Sequence, residues 1–563
     1  MSAYKKQMEK ERAVADHIPY SSHINENTII TKEGDFLRIW RVEGIAFETA
    51  DTDEILRRKE QFNTLLRSIG ASDNVALWSH TIRRNTKDRL QGTFENDFCR
   101  QLDAKYYNSF ENYQMMANEL YLTAIYRPMP SKVVKAFAKS SRRTLDEIKK
   151  DHERSIKKLD DIAYQIEAGM QRYGADSKGI EALGTYREKG VLLSSALEFL
   201  NYLISGEWQK VRVPNGPLDT YLGNSWVHVG NEVIEIRSPT KIRYAQAIDF
   251  KDYSAHTEPG LLSGLMYQDY ELVITQSFSF MTKRDGKEFL DRQAKQLLNT
   301  EDGSATQIQE IEVAQDQLIQ GQFAMGEYHF TLMVFGNSID EVRSNTTNAM
   351  TTIQDQGFLA ALVNTATDAA YYSQLPCNWS SRPRIAGITS KNFAGLSPFH
   401  NFRAGKRTGN PWGEAVTLFK TPSGQPLYFN LHYTKGDENA FDKKALGNTR
   451  IIGQSGSGKT VLLNFLLCQL QKYAPHAPNG FGTIFFDKDR GAEAAIRAIG
   501  GKYLAIRNGM PTGFNPFQME NTESNILFLE KLVRKLAQNH KPITSTEELK
   551  INHAVRTVMK MPK

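Results

Sequence analysis

A glycine-rich stretch in the last quarter of the chain constrains this sequence more than any other feature. Residues 449–460 read TRIIGQSGSGKT, in which two glycines separated by four residues are followed by Lys and Thr. This is the phosphate-loop pattern. A short β-branched segment precedes the loop and an apolar segment with helical character follows it, which is the order of strand, loop and helix that the motif requires. The alternative is a Gly/Ser turn that binds no ligand.

Each residue type in the loop suits phosphate binding. The glycines allow positive φ and a close approach of main-chain N–H groups to an anion, in front of a helix whose N-terminus favours negative charge. Lys459 is predicted to reach the β- and γ-phosphates, and Thr460 is predicted to place its hydroxyl on Mg²⁺. The predicted nucleotide-binding residues are Gly453, Gln454, Ser455, Gly456, Ser457, Gly458, Lys459, Thr460 and Val461.

The composition limits the class of protein. A chain of 563 residues is too long for one hydrophobic core, so two or three domains are expected. No apolar run approaches the roughly 20 residues of a membrane-spanning helix, and the polar N-terminus does not resemble a secretory signal, so a cytoplasmic location is expected. Cys99, Cys377 and Cys468 show neither a disulfide framework nor metal-ligand spacing. A net charge of +6 permits contact with nucleic acid or anionic lipid without requiring it.

The N-terminal part alternates between strand and helix patterns. We predict strands at 36–42, 75–82 and 120–126 and a helix at 53–69. A long amphipathic helix is predicted at 141–172, with Lys and Arg on its polar side. That helix could contact a partner or a membrane surface, or it could pack on its own domain through its apolar stripe.

A second α/β segment follows. The predicted elements are a helix at 191–204, a hairpin of 226–229 with 233–236, a strand at 271–280, helices within 287–319, a strand at 328–335 and a helix capped by Ser338. The fold class predicted is α/β, with an α+β N-terminal region in which the order of elements suggests two ferredoxin-like units.

Composition shifts predict the domain boundaries. We expect a first unit at 1–210, a second at 211–369, a linker rich in Pro, Gly and Ser at 370–412, and a phosphate-loop domain at 413–563 that begins with a hairpin. The cations of the linker region could reach a phosphate or a neighbouring subunit, or they could be solvated; they are Arg382, Arg384, Arg403, Lys406 and Arg407.

The sequence after the loop provides one candidate carboxylate. A strand predicted at 483–486 ends in Asp487, which could orient Mg²⁺ as the Walker B residue, support the site in another way, or lie in a plain turn. No Glu stands directly after Asp487, and no later apolar run ends in Asp-Glu. A further strand is predicted at 503–506 and helices at 523–538 and 545–559. We therefore expect a RecA-like domain that is truncated before its Walker B motif.

Several motifs together resemble a known family, the large traffic ATPases of bacterial type IV secretion and conjugation of the TrbE/CagE kind, related to the HerA/FtsK group. The motifs are GQSGSGKT at 453–460, FFDKDRGAE at 485–493, GFNPF at 513–517, QLPCNW at 374–379, ITSKNFAGLSPFH at 388–400, HIPYSSHI at 17–24 and EGDFLRIWRVEG at 33–44. FDKDRG after a phosphate loop is more specific than the loop alone, and the resemblance covers nearly the whole chain.

The resemblance implies function as well as fold. It implies ATP and Mg²⁺ as cofactors, and an N-terminal region that docks on the cytoplasmic face of the inner membrane and on a small membrane subunit. It also implies other ATPases as partners and a homo-oligomer, hexameric or based on dimers. A Walker B Asp-Glu and an arginine finger are implied too, and this sequence lacks both, so we expect it to bind ATP but hydrolyse it poorly. The alternatives are a motor that pumps DNA directly and a non-catalytic scaffold.

Overall fold

The computed structural model describes residues 13–110, 115–129, 144–174, 179–299, 305–432, 446–477, 479–507, 509–538 and 542–562. The chain divides into two compact units. Unit 1 comprises residues 1–459 and 469–478, and unit 2 comprises residues 460–468 and 479–563. No helix among the described residues is long and apolar enough to cross a membrane.

The described part of the chain contains strands and helices of mixed length. The strands are β1 Tyr20–His23, β2 Ile29–Thr31, β3 Phe36–Val42, β4 Ile45–Ala46, β5 Val75–Thr86, β6 Met115–Tyr126, β7 Ile180–Ala182, β8 Thr185–Glu188, β9 Val191–Ser194, β10 Trp226–Val229, β11 Ile234–Arg237, β12 Ile242–Asp252, β13 Leu272–Phe280, β14 Met325–Gly336, β15 Leu359–Leu362, β16 Ala386–Thr389, β17 His400–Asn401, β18 Thr417–Lys420 and β19 Pro426–Phe429. The α-helices are α1 Val14–His17, α2 Thr52–Gly70, α3 Asp97–Ser109, α4 Leu145–Met170, α5 Ser195–Ser205, α6 Leu218–Leu222, α7 Lys283–Asn299, α8 Ala305–Ile319, α9 Ile339–Gln354, α10 Thr367–Tyr372, α11 Ser390–Leu396, α12 Lys459–Leu470, α13 Glu493–Ala498, α14 Glu523–Ala537 and α15 Ser545–Met559.

One large sheet forms the centre of unit 1. Its strands run in the order β1-β2-β3-β6-β5-β13-β14-β12-β11-β10, with β7, β15 and β16 attached to β3, β12 and β14. Neighbouring strands in it are antiparallel. The two α/β segments predicted from the sequence meet where β5 pairs with β13, from Ala76 opposite Ser279 to Arg83 opposite Leu272. The α/β class is therefore confirmed, and both segments contribute to the same sheet.

Side chains alternate between the two faces of this sheet because successive residues of a strand point in opposite directions. One face packs against α2, α4 and α9 and includes Trp40, Leu122 and Phe278. The other face packs against α5 and residues 370–377 and includes Trp78, Tyr121 and Met333. Burial on both sides explains why nearly all residues of the central strands are buried, including polar ones such as Thr275 and Gln276.

Most predicted N-terminal elements are confirmed. The strands β3, β5 and β6 and the helix α2 occur where the sequence predicted them, and β10 and β11 form the predicted hairpin. The long amphipathic helix is α4; Leu159 and Ile166 of its apolar stripe are fully buried in the core beside the sheet, whereas Ile148 near its start is exposed. This packing favours the interpretation of α4 as a helix of its own unit. The residues before 144 lie outside the described part of the chain.

One helix was predicted to begin too early in the sequence. The helix predicted at 191–204 begins only at Ser195, because residues 191–194 form β9 and pair with β8. The Ser194 hydroxyl then caps α5 by accepting a hydrogen bond from the Leu197 N–H.

The three segments predicted as strands around the phosphate loop, 449–452, 483–486 and 503–506, are also not strands in the structure. A strand needs a neighbour for its N–H and C=O groups, and none of the described strands pairs with these segments. The apolar side chains of Ile484 and Phe486 are consequently exposed.

Residues 370–412 are packed structure in unit 1, although their composition predicted a linker. They contribute β16, which pairs with β14, and α11, whose Phe393 is fully buried. Arg382 donates to the Glu327 carboxylate at 3.2 Å and lies over the Trp379 ring. Arg384 and Arg407 also form ion pairs within unit 1, with Asp249 at 2.8 Å and with Asp88 at 3.2 Å. Three of the five cations therefore form ion pairs within unit 1.

The described residues of unit 2 form two small helical cores. The helices α14 and α15 pack through Leu529 and Met559, and the Arg556 guanidinium pairs with Glu530 at 2.9 Å. A second cluster joins Leu467 of α12 to Ile496 of α13. The helices predicted after the loop are therefore confirmed.

A histidine is buried within the central sheet. His80 on β5 has no exposed surface, and its Nε2 donates to the main-chain oxygen of Gln374 at 2.7 Å. Burial lowers the pKa of His80 to about 4, so the imidazole is neutral at neutral pH.

We predict that His80 makes the fold sensitive to acid. The unfolded chain protonates this side chain near pH 6.5 and the folded chain only near pH 4, so protonation favours unfolding and stability falls by about 3 kcal/mol as the pH drops from 6.5 toward 4. In denaturant titrations between pH 7 and pH 4, the His80→Gln variant should lose less stability than the unmodified chain. His256→Gln, at an exposed position, is the control. Equal losses in all three proteins would contradict the prediction.

Candidate nucleotide-binding site

The glycine-rich loop has the main-chain conformation that phosphate binding needs. Gly456 and Gly458 have φ of +79° and +89°. A Cβ built on either glycine would meet no atom within 4 Å, so the space beside the main chain is open. Gly453 is required for a different reason, because its Cβ would lie 2.6 Å from the Ser457 Oγ. Together these glycines allow an anion to approach the main-chain N–H groups closely.

The Lys459 side chain is folded over the loop that precedes it. Its Nζ donates to the main-chain oxygens of Gly453 at 2.8 Å and Gln454 at 2.6 Å. The Ser457 Oγ donates to the Gln454 oxygen as well, at 2.8 Å. An ammonium has three donors, so Lys459 keeps capacity for a further acceptor at the loop. Its charge is thus placed where the motif predicts a phosphate.

The helix α12 begins at Lys459, directly after the loop. Its first turn contains no acidic residue, so nothing there opposes the attraction of the helix N-terminus for an anion. The division between the two units falls after Lys459. The structure thus places Gly453 to Lys459 in unit 1, and Thr460, Val461 and Asp487 in unit 2. Val461 is exposed, and Gln454 and Ser455 are exposed in the loop.

Within unit 2, the structure brings Asp487 close to Thr460. A Cβ built on Gly491 would lie 2.8 Å from the Thr460 Cγ2 and 3.9 Å from the Asp487 Oδ1. Gly491 therefore lies beside both a hydroxyl-bearing side chain and a carboxylate. Hydroxyl and carboxylate oxygens can bind Mg²⁺ directly or accept hydrogen bonds from the waters that it holds.

Two donors hold the other oxygen of the same carboxylate. The Asp487 Oδ2 accepts the Ala492 N–H at 2.9 Å and the Tyr503 hydroxyl at 2.9 Å. Neither donor was predicted from the sequence. The sequence shows only that Tyr503 lies in an apolar segment. Its contact with Asp487, 16 positions away, depends on the tertiary fold and cannot be predicted from local pattern.

The turn between Asp487 and α13 has an unusual main chain. Asp489 and Arg490 both have positive φ, of 68° and 62°, which is uncommon for residues other than glycine. Two contacts stabilise the turn: Glu493 accepts from Arg490 at 2.8 Å, and the Asn464 Nδ2 donates to the Gly491 oxygen at 3.0 Å. These contacts tie the turn to α12 and α13.

The residues present fit ATP and Mg²⁺. The loop offers open main-chain donors and one lysine, and unit 2 offers Thr460 beside a carboxylate oxygen that has no donor of its own among the described contacts. No group of three or more His, Cys, Asp or Glu side chains among the described residues could hold a metal ion. Mg²⁺ would accordingly take most of its ligands from phosphate and water, as is usual for this ion.

Two family models match the chain. Residues 27–133 match the model described as the N-terminal domain of the type IV secretion system ATPase VirB4/TrbE. Residues 181–384 match the model of the CagE, TrbE, VirB family, described as a component of the type IV transporter system. Both matches lie in unit 1.

Relatives in three genera align with almost the whole chain. The chain is 62% identical to the type IV secretion system protein virB4 of Brucella suis, over 100% of this chain and 68% of that protein. It is 50% identical to the type IV secretion system protein PtlC homolog of Bordetella bronchiseptica, over 98% of this chain and 67% of that protein. It is 36% identical to the type IV secretion system protein virB4 of Bartonella henselae, over 99% of this chain and 68% of that protein.

We predict that a methyl group at position 491 will disturb the site. In a Gly491→Ala variant the Cβ would lie 2.8 Å from the Thr460 Cγ2, so Thr460 or the turn must shift. The rise in melting temperature that Mg²⁺ and ATP give the unmodified chain should shrink in this variant. Gly482→Ala is the control, because a Cβ there meets nothing within 4 Å. An undiminished rise in Gly491→Ala would show that the spacing is not required.

Proposed function

The chain belongs to the VirB4/TrbE family of type IV secretion system ATPases, and from this premise we propose that it couples ATP binding and hydrolysis to the assembly of a secretion channel or pilus and to substrate transfer. The observation that carries the proposal is the loop geometry. Open glycines and a lysine folded over the loop are what phosphate binding requires.

We assign the following roles to the residues. The main chain of Gly453 to Gly458 would donate to phosphate oxygens, and the Lys459 ammonium would neutralise their charge. The Thr460 hydroxyl would bind Mg²⁺, and Asp487 would orient Mg²⁺ or a water bound to it. Bound Mg²⁺ supplies charge neutralisation across the phosphates.

We further propose that this 563-residue chain binds ATP more readily than it hydrolyses it. The support is chemical. Asp487 is followed by Lys488 rather than Glu, and its Oδ2 is already occupied by two donors. Such a carboxylate is suited to orienting a metal ion and poorly suited to accepting a proton from attacking water.

The partners and location follow from the family. We propose that unit 1 contacts other subunits of the secretion complex, including a small membrane subunit and other ATPases, on the cytoplasmic face of the inner membrane, and that copies of the chain form a homo-oligomer. The support is that the two matched family models lie in unit 1. We also retain the boundaries at residues 210 and 369 as a proposal, because the segments 1–210 and 211–369 each hold most of one matched region.

We predict that Lys459→Ala will weaken ATP binding. The variant loses one charged group at the loop, and hydrogen bonds to charged groups each contribute about 1.5–3 kcal/mol, so affinity should fall roughly 10-fold to 100-fold. Titration with a fluorescent ATP analogue would measure the loss. Lys535→Ala, at an exposed position on α14, is the matched control. Unchanged affinity in Lys459→Ala would reject the site.

Two measurements test the remaining claims. The purified chain should turn over ATP at well under about 1 per second, whereas a rate of that order or higher would show that Asp487 suffices for hydrolysis. A strain complemented with a Lys459→Ala gene should fail to transfer substrate. Normal transfer in that strain would instead favour a scaffold whose nucleotide site is dispensable.

A further inference from the structure

The position of Asp487 depends on few contacts. The segment that precedes it, 481–486, belongs to no strand, and Ile484 and Phe486 are 83% and 94% exposed. A sheet ladder therefore does not fix the main chain before Asp487. The orientation of the carboxylate therefore depends mainly on the hydrogen bonds that its side chain accepts.

Tyr503 connects this carboxylate to α12, the helix that follows the glycine-rich loop. Its ring packs against the cluster formed by Leu467, Ala492 and Ile496, and its hydroxyl donates to the Asp487 Oδ2 at 2.9 Å. Leu467 lies on α12, two turns beyond Thr460. The tyrosine thus joins Asp487 to the same helix that carries Thr460.

The two hydrogen bonds to Oδ2 of Asp487 fix the position of Oδ1. Since the Ala492 N–H and the Tyr503 hydroxyl both bind Oδ2, the carboxylate cannot rotate without breaking a hydrogen bond. Oδ1 then stays 3.9 Å from the point where a Cβ of Gly491 would stand, and the Thr460 Cγ2 lies 2.8 Å from the same point.

We propose that Tyr503 is a positioning residue for the Mg²⁺ that accompanies ATP: it holds Oδ2 of Asp487 so that Oδ1 faces Thr460 and can bind the ion or one of its waters. The inference rests on the proposed function of the loop. Tyr503 touches neither nucleotide nor metal, and it acts only through Asp487.

A merely structural role for Tyr503 makes a different prediction. The ring also lies 5.9 Å from the Arg497 guanidinium and packs in the cluster, so its removal could loosen unit 2 in general. The Tyr503→Phe variant separates the two roles, because it keeps the ring and removes only the hydroxyl. Tyr267→Phe is a matched control, since its hydroxyl donates to another carboxylate, that of Glu48, at 2.9 Å.

The experiment measures ATP affinity of the full chain in two conditions, with Mg²⁺ and with EDTA. In Tyr503→Phe we expect affinity in EDTA to equal that of the unmodified chain, and the gain on adding Mg²⁺ to fall roughly 10-fold, the lower end of the effect of removing a group that orients a metal ligand. Asp487→Asn should show the same loss. The double variant should lose no more than Asp487→Asn alone, because Tyr503 acts through Asp487.

The possible failures are distinguishable. If the unmodified chain does not bind ATP, the proposed function falls and this inference falls with it. If ATP binding gains from Mg²⁺ and Tyr503→Phe leaves that gain intact, only the role of Tyr503 is overturned. Equal weakening in EDTA and in Mg²⁺, or additive losses in the double variant, would likewise reject positioning and show a structural role.

Discussion

The pairing of β5 with β13 is the interaction on which the rest of unit 1 depends. Without it, residues 20–126 and residues 226–389 would each form a small sheet with an open edge. With it, eight residue pairs from Ala76 and Ser279 to Arg83 and Leu272 make one continuous surface, which α2, α4 and α5 can cover from two sides. The gain is a core that neither segment could bury alone, together with the removal of two exposed edges.

The sequence predicted the local elements of this fold well because their signals are local. Alternation and helical spacing located β3, α2 and the hairpin of β10 with β11. The join between β5 and β13 could not be predicted in the same way, because the paired residues are almost 200 positions apart and no turn links them. Residues 370–412 were misread as a linker for a related reason: Pro and Gly mark irregular main chain, but irregular main chain can still be buried, as Phe393 is.

The candidate site shows the same contrast within a few residues. Lys459 bonds to the carbonyls of Gly453 and Gln454, which are its near neighbours in sequence. A motif can therefore specify this half of the site, and the motif predicted it. Asp487 depends on Tyr503 and on Ala492, and the hydroxyl of Tyr503 reaches it only because a cluster around Leu467 holds the ring. The spacing of residues along the chain does not indicate that contact.

The apolar segments around the loop explain why the two halves depend on different forces. Ile484, Phe486, Leu504 and Ile506 have the composition of buried strands but remain mostly exposed, so hydrophobic burial contributes little to holding residues 483–487 and 503–506 in place. What remains there is the packing of Phe485 and Tyr503 on one helical cluster and the hydrogen bonds to the Asp487 Oδ2. When few side chains pack together, each polar contact determines a larger share of the local geometry, so the orientation of the Asp487 carboxylate, which we propose as a Mg²⁺ ligand, depends on a single tyrosine hydroxyl and one main-chain N–H.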